Sequence, residues 1–412
     1  MSPTRAPLAH PVLSPLNLAL LLGALAALGP LTIDMYLPSF PAIAEALGSS
    51  VAAVQLSLSS YLAGLAVGQL VYGPLADAFG RRLPLLGGLA LFAVATLACA
   101  FAPSLGVLIG ARFVQALGGC AGMVVSRAVV RDLFDARESA KLYSTLMLVM
   151  GVAPIIAPLL GGQVLLHLGW RAIFGVLFAA AATVAALILR FLPESLPLER
   201  RTRRSPRETL RSFRTVLSSG IFVRLAIAAG AGQAVMFAYI SGSPFVFIDL
   251  FGVSPQHYGW IFGANAAGLI AFSQLNRVLV PRFGVYRTLV GALCVTAMGT
   301  VVLFTVAAAG AGLGMLLPAM FLSIASVGLV LPNATAAAMA PWGAQAGIAS
   351  SAFGTLQIAC GAVASALVSA LANGTALPMT GVMLGCGLLA LLLVLAGAKA
   401  AAPHEAQGHA RG

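Results

Sequence analysis

Twelve apolar runs recur along this chain, each close to the roughly 20 residues that a helix needs to cross the hydrocarbon of a bilayer. They are expected at 16–37, 53–74, 84–102, 105–127, 141–163, 168–191, 221–243, 257–279, 287–308, 311–333, 346–371 and 376–397. No other feature narrows the fold as far, because a segment in hydrocarbon must satisfy its backbone groups internally. The composition agrees. Of 412 residues, 60% are hydrophobic and 8% charged, too little charge to keep a soluble protein of this length dispersed. The sequence therefore specifies an all-α polytopic membrane protein with twelve transmembrane helices. An even number of spans puts both termini on one side.

The net charge of +12 could suggest nucleic acid, but its distribution argues against that. Of 23 Lys and Arg, Arg112 lies inside a span and Arg171 on the opposite side; the others fall in segments that alternation assigns to one face. That is the positive-inside pattern. It implies a multi-pass membrane protein with both termini in the cytoplasm. The first run is long enough to span and has no cleavable-signal character. Cys99, Cys120, Cys294, Cys360 and Cys386 are scattered through apolar runs without CxxC or Cys/His spacing, which implies neither a zinc site nor a disulfide framework.

Residues 1–15 form a proline-rich cytoplasmic tail and 398–412 a second tail. Between the sixth and seventh runs lies a basic cytoplasmic linker, 193–220, with Arg200, Arg201, Arg203, Arg204, Arg207, Arg211 and Arg214. Its arginines suit anionic headgroups, and Phe213, Val216 and Leu217 suggest an amphipathic helix along the membrane surface. The linker separates two six-helix bundles, 16–192 and 221–397. Pro281-Arg282-Phe283-Gly284 occupies in the second bundle the place of Ala78-Phe79-Gly80-Arg81 in the first, so the bundles read as a pseudo-repeat around a central site.

Three stretches carry the chemistry. Gly73-Pro74-Leu75-Ala76-Asp77-Ala78-Phe79-Gly80-Arg81-Arg82, between the second and third runs, sets one acid beside two bases in a turn that Pro74 and Gly80 force. Its plainest reading is a loop whose arginines stay in the cytoplasm. Asp34 is the only ionisable side chain of the first run, and at about 1.5 Å per residue from Asn17 it lies in the outer half of the bilayer. It either marks the wet end of the helix or faces an internal cavity, loading and releasing a proton as access alternates. Arg112, in the fourth run, falls at a similar depth. A base there costs about 2.5–3.5 kcal/mol, so it should face a partner or a wet cavity; a structural arginine bonded to loop carbonyls is the alternative. Gln115 shares its helical face. Asp34 and Arg112 are the only charges well inside the membrane, and their pairing is the strongest mechanistic clue. Finally, Gly151-Val152-Ala153-Pro154-Ile155-Ile156-Ala157-Pro158-Leu159-Leu160-Gly161-Gly162 in the fifth run has two prolines that bend a helix and small residues that admit a close neighbour.

These stretches resemble known motifs. Gly-x-Leu-Ala-Asp-x-x-Gly-Arg-Arg resembles the loop 2–3 signature of major facilitator transporters, with Ala78 where the family usually carries a base. Arg112-x-x-Gln115-x-x-Gly118 resembles the fourth-helix motif, whose Arg is associated with proton coupling. The Gly151–Gly162 stretch resembles the antiporter motif of drug exporters, with Ala157 in place of the glycine before Pro158. Together with Ile33-Asp34-Met35-Tyr36-Leu37-Pro38, Gly68 to Leu75, Ser126 to Asp132, Gly169 to Phe174 and Ser241 to Val246, they resemble the bicyclomycin-resistance (Bcr/CflA) branch of drug:proton antiporters. The likeness covers most of the chain and is more specific in the first half. It implies the major facilitator fold, proton coupling at Asp34 and Arg112, a conformational latch at Gly73, Asp77, Gly80, Arg81 and Arg82, and an antiporter-motif helix around Gly151, Pro154, Pro158, Gly161 and Gly162. Related multidrug exporters carry a second membrane acid two turns before the one matching Asp34; here that position is Ala26, so a two-acid relay is not implied.

The second half has little intramembrane charge. Gln233, Met236, Phe237, Tyr239 and Asn265, with Tyr36 and Gln115 from the first half, are the candidate substrate-binding residues, although helix packing accounts for residues of these types equally well. A lining of Met, aromatics and amides suits weakly polar compounds of varied shape. The expected function is proton-coupled efflux of small amphiphilic compounds by alternating access, as in multidrug or bicyclomycin/chloramphenicol-like antibiotic resistance. The alternatives are a proton-coupled exporter of a small metabolite such as an amino acid and, more distantly, a membrane ligand sensor that moves nothing. No GxxxxGK[ST] appears, so the proton gradient is the expected energy source and no cofactor is implied. An enzyme is not expected, since His10, His167, His257, His404 and His409 lie at or beyond the span ends. The expected partners are a small amphiphilic substrate, protons and the lipid bilayer, with no nucleic acid and monomer as the default.

Overall fold

The computed structural model describes residues 14–134, 136–201 and 206–408; Arg5, Arg203, Arg204 and the ends of both expected tails lie outside them. The first half contains α1 (Pro15–Asp34), the short α2 (Phe40–Ala46), α3 (Val51–Phe79), α4 (Arg82–Ala100), α5 (Leu105–Leu133), α6 (Ala136–Leu168) and α7 (Trp170–Phe191). A linker helix α8 (Pro206–Leu217) leads to α9 (Gly220–Pro244), α10 (Pro255–Phe283), α11 (Val285–Ala308), α12 (Leu313–Met339), α13 (Ala346–Ala370) and α14 (Leu377–Gly408). No strand occurs among the described residues. All twelve expected spans are helices. Eleven are long and apolar enough to cross a bilayer on their own. The twelfth, α10, has 29 residues, about 43 Å of helix, but Gln256, Asn265, Gln274, Asn276 and Arg277 dilute its hydropathy.

Local signals set the helix ends. Ser14, Ser50, Ser104, Ser219 and Ser254 each accept a backbone N–H of the first turn at 3.2–3.5 Å, starting α1, α3, α5, α9 and α10. Gly80 ends α3 at φ +90°, ψ 174°, and Gly284 ends α10 at φ +78°, ψ 164°. Only glycine adopts this geometry without strain, and the two sites hold corresponding places in the two halves.

Two expectations are corrected. Pro74 forces no turn: α3 runs through it to Phe79, so Asp77 lies on the helix and Gly80 alone makes the bend. A proline in a membrane helix frees one carbonyl, which its surroundings can re-satisfy. The end of the linker does not rest on the membrane alone. Val216 is fully buried against α9 and α13, within a cluster that includes Phe222 and Phe353. The last helix, α14, continues into the expected C-terminal tail as far as Gly408.

Small residues let the helices approach. A Cβ on Gly68 of α3 would lie 2.6 Å from the Cβ of Cys120 on α5, and Gly118 of α5 lies against the backbone of Phe92 on α4. The halves meet along two seams, α3 with α13 and α6 with α10. The first carries hydrogen bonds along much of its length: Ser369 Oγ to the Ala52 carbonyl (2.5 Å), Ser59 Oγ to Ser365 Oγ (2.8 Å) and Ser351 Oγ to the Gln69 carbonyl (2.8 Å). From Ala52 to Gln69 is about 25 Å of helix, so this seam is closed across most of a bilayer.

Candidate functional site: a buried polar centre between the halves

α1 stops at Asp34, and Leu37-Pro38-Ser39 turns the chain into α2. That turn touches α6 of its own half and α9 and α10 of the other, so the acid lies three residues before the point where the halves join. Asp34 is 4% exposed and has no hydrogen bond or ion pair among the described residues. Tyr61 of α3, Tyr239 of α9 and Tyr258 of α10 all lie within its electrostatic reach.

Arg112 is fully buried and held within its own half. Its Nη1 donates to Gln115 Oε1 (2.7 Å), and Gln115 Nε2 donates to Thr96 Oγ1 (2.7 Å). The guanidinium carbon lies 4.6 Å from the centre of the Tyr36 ring and 4.3 Å from that of Tyr61, so two aromatic faces take much of its charge. Tyr36 is fixed in turn by a 2.8 Å hydrogen bond between its hydroxyl and Ser57 Oγ, and by packing on Phe40 and Phe174. Nε and Nη2 of Arg112 have no partner. No ion pair joins Arg112 to Asp34. Tyr61 instead covers the base and lies within reach of both charges.

Across the seam the groups are neutral. Tyr239 stacks on Phe262 at 5.4 Å, and its hydroxyl accepts from Asn265 Nδ2 (3.1 Å). Asn265 Oδ1 is left without a partner. The Tyr258 hydroxyl bonds Ser243 Oγ (2.8 Å). Among the candidate pocket residues, Tyr36 and Gln115 thus join Arg112, and Tyr239 and Asn265 face each other near Asp34. Phe237 packs its ring over Gly361 of α13. Met236 and Gln233 are half-buried, with Gln233 Oε1 unpartnered. Tyr61, Thr96, Tyr258 and Phe262 escaped the sequence reading. Tyrosines in apolar runs were the available signal, because a polar hydroxyl is costly to place among apolar side chains.

The motif helix α6 supports this centre. A Cβ on Gly161 would collide with the carbonyl of Met35, the residue after Asp34, and one on Gly162 would lie 3.0 Å from the Pro255 carbonyl at the start of α10. Gly151 packs on Ile270 of α10, and Pro154 and Pro158 lie within the helix between these glycines. The glycine pair therefore fits α6 beneath the end of α1 and against the other half.

At the far end of the first half, Arg81 is 4% exposed and forms a clamp. Its Nη1 donates to Asp77 Oδ1 (2.6 Å) and its Nε to Asp132 Oδ2 at the end of α5 (2.8 Å). The backbone N–H groups of Arg81 and Arg82 donate to the Glu194 carboxylate at 2.8 and 3.2 Å, and Arg82 Nη2 donates to the Leu189 carbonyl of α7 (2.5 Å). Burial opposes the Arg81 charge, but Asp132 and Asp77 outweigh it and hold its pKa above the ordinary arginine value. These bonds tie together α3, α5 and the segment after α7, all within the first half. Gly73 lies one turn before Asp77, with open space where a Cβ would point.

Two six-helix halves closing on a buried polar centre at their seam have the architecture of a secondary transporter. The chain belongs to the Major Facilitator Superfamily, whose family model matches residues 22–365. It is 42% identical over 374 residues to the uncharacterized MFS-type transporter YdgK of Bacillus subtilis (strain 168), covering 89% of this chain and 92% of that protein. It is 32% identical over 373 residues to the bicyclomycin resistance protein homolog of Haemophilus influenzae, covering 90% and 94%. Its fold is similar to that of the xylose transporter XylE from E. coli in a partially occluded inward open conformation, with a TM-score of 0.72 at 15% identity over 92% of this chain and 98% of that one. The protein is a multi-pass membrane transporter and not an enzyme.

Proposed function

We propose that this transporter exports small amphiphilic compounds in exchange for protons across the bacterial inner membrane. One observation carries the reading: Asp34, a buried carboxylate with no bonded partner among the described residues, lies three residues before the turn that touches both halves. A carboxylate so placed is costly while charged, so its protonation is linked to how the halves close around it. The similarity to a bicyclomycin resistance protein homolog supports a drug-like substrate, and the Tyr239, Phe262 and Asn265 group suits a weakly polar body.

In this cycle Asp34 takes a proton from the outside when the centre opens outward, and substrate leaves. The halves then rock, and Asp34 releases its proton inward as new substrate binds. Arg112 supplies a fixed positive potential through Tyr61 without having to break an ion pair. The Arg81 clamp acts as the latch that keeps the cytoplasmic ends of the first half together during the movement. Both termini are cytoplasmic, and a single chain suffices.

The test is drug-induced proton efflux from energised everted vesicles, followed with a pH-sensitive dye and an antibiotic panel that includes bicyclomycin and chloramphenicol. The wild type should release protons and Asp34→Asn should not, with drug binding retained. Equal proton release by the variant would remove Asp34 from the coupling. A response to amino acids but not to drugs would instead identify a metabolite exporter.

A further inference from the structure

A cleft of about 350 Å³ opens on the face opposite the Arg81–Arg82 turn, where the start of α3 meets the ends of α9 and α13 and the start of α14. None of the groups bonded to Arg112 or reached by Asp34 lines it. The chain on either side of Pro244, at Gly242, Phe245 and Val246, builds part of its wall. Beyond this proline the chain widens into a π turn, Phe245–Leu250, closed by a Phe251 N–H to Val246 carbonyl bond (3.1 Å). Phe245 and Asp249, four residues apart, both line the cleft. Asp249 is exposed and has no ion pair or hydrogen bond among the described residues. Gln55 of α3 is 3% exposed and lines the same cleft, and its Oε1 is buried without a partner.

The starts of α3 and α14 would by themselves favour an anion, but their donors are engaged. Ser50 Oγ accepts the Ala53 N–H (3.2 Å), and Thr375 Oγ1 accepts the Leu377 N–H (3.2 Å) while donating to Asn373 Oδ1 (2.6 Å). The ends of α9 and α13 add the negative poles of two helices. No Lys or Arg lines the cleft, although the chain carries a net charge of +12. What remains free is a carboxylate and an amide oxygen beside an aromatic ring and the apolar wall of Val368 and Met379.

We propose that this cleft is a second binding site that takes an amphiphilic monovalent cation, a protonated amine. Its ammonium donates to Asp249 and Gln55 Oε1, and its apolar body lies on Phe245, Val368 and Met379. The volume is at the small end of ligand sites, enough for one such molecule.

The experiment titrates dansylcadaverine, a primary amine with a fluorescent apolar body, against the full-length protein in phosphatidylcholine nanodiscs, with fluorescence anisotropy as the readout. N-acetylated dansylcadaverine is the neutral control. Wild type should bind the amine about tenfold more tightly than the control, the size expected of one partly exposed opposite charge. Asp249→Asn should erase that preference, Asp249→Glu should restore it and Gln55→Leu should weaken amine binding several-fold. Asp34→Asn should leave it unchanged. Loss of amine binding in Asp34→Asn but not in Asp249→Asn would put the ligand in the centre and overturn the proposal. So would equal weakening of amine and control by Asp249→Asn. The vesicle assay reads the coupling of Asp34 separately, so the two readings fail independently.

Discussion

The close approach of α6 to the end of α1 makes Gly161→Ala a severe perturbation for a single methyl group. The new Cβ would lie 2.8 Å from the Met35 carbonyl carbon, 2.9 Å from its Cα and closer still to its oxygen. All three obstructing atoms are backbone, so no side chain can swing aside and α1 must shift next to Asp34. Overpacking a filled site costs about 1–3 kcal/mol, and a backbone obstacle places this one near the top of the range. Alanine returns up to about 1 kcal/mol of helix propensity, leaving a net cost of about 2 kcal/mol. That amounts to roughly 30-fold in the population of the closed arrangement. Gly175→Ala in α7 is the control: nothing lies within 4 Å of its new Cβ, so only the propensity gain remains. Thermal unfolding of the detergent-purified variants should place Gly161→Ala below wild type and Gly175→Ala at or above it, with transport reduced only in the former. A Gly161→Ala protein that unfolds with the control and transports normally would refute the contact between α1 and α6.

Arg81→Gln should destabilise the protein by about 1–3 kcal/mol, because Asp132, with its side chain only 14% exposed, loses its charged partner; Asp77→Asn, at a half-exposed carboxylate, should cost at most about 1 kcal/mol. Since the folded-state pKa of Arg81 is raised, its contribution is complete below the ordinary arginine value and is lost only as pH rises through the higher folded value. The deficit of Arg81→Gln should therefore be the same at about pH 6 and pH 9 in unfolding measurements. Arg112→Lys keeps the charge but not the planar group that lies on Tyr36 and Tyr61, so transport in the vesicle assay should fall at least tenfold at equal membrane abundance. Phe237→Ala should cost about 3–5 kcal/mol by opening a cavity over Gly361, while the ranking of transported compounds stays as it was; a changed ranking would make Phe237 a pocket residue.

Helix positions were legible because apolar length is a signal in one dimension. The ends were less so. The fourth apolar run ends at 127, before Arg131 and Asp132, yet α5 continues to Leu133, since charged residues beyond the membrane do not break a helix. Pro74 misled for a related reason: one missing N–H does not end a helix that membrane packing holds together. Asp34 and Arg112 stood out as charges in apolar runs. Sequence gives their depth but not their direction around the helix axis, and direction decides that Arg112 meets Tyr36 and Tyr61 rather than Asp34. The Asp249 cleft was invisible for the same reason, because it is assembled from the ends of four helices in two halves.

The division of polar groups between the halves bears on how coupling is arranged. Arg112 is held on its own side by one hydrogen bond to Gln115 and by two rings, none of which involves Asp34, so these contacts persist whether Asp34 carries a proton or not. The second-half groups within electrostatic reach of Asp34, Tyr239 and Tyr258, are neutral and already bonded to Asn265 and Ser243. Among the described residues neither half therefore pairs Asp34 with a counter-ion. In the proposed cycle the charged carboxylate must gain stabilisation from water or substrate admitted when the seam opens, whereas the neutral acid needs neither and tolerates closure. The device that links proton to movement is then the seam itself, and the residues that set its closeness, Gly161 and Gly162 against Met35 and Pro255, belong to the coupling as much as the acid does.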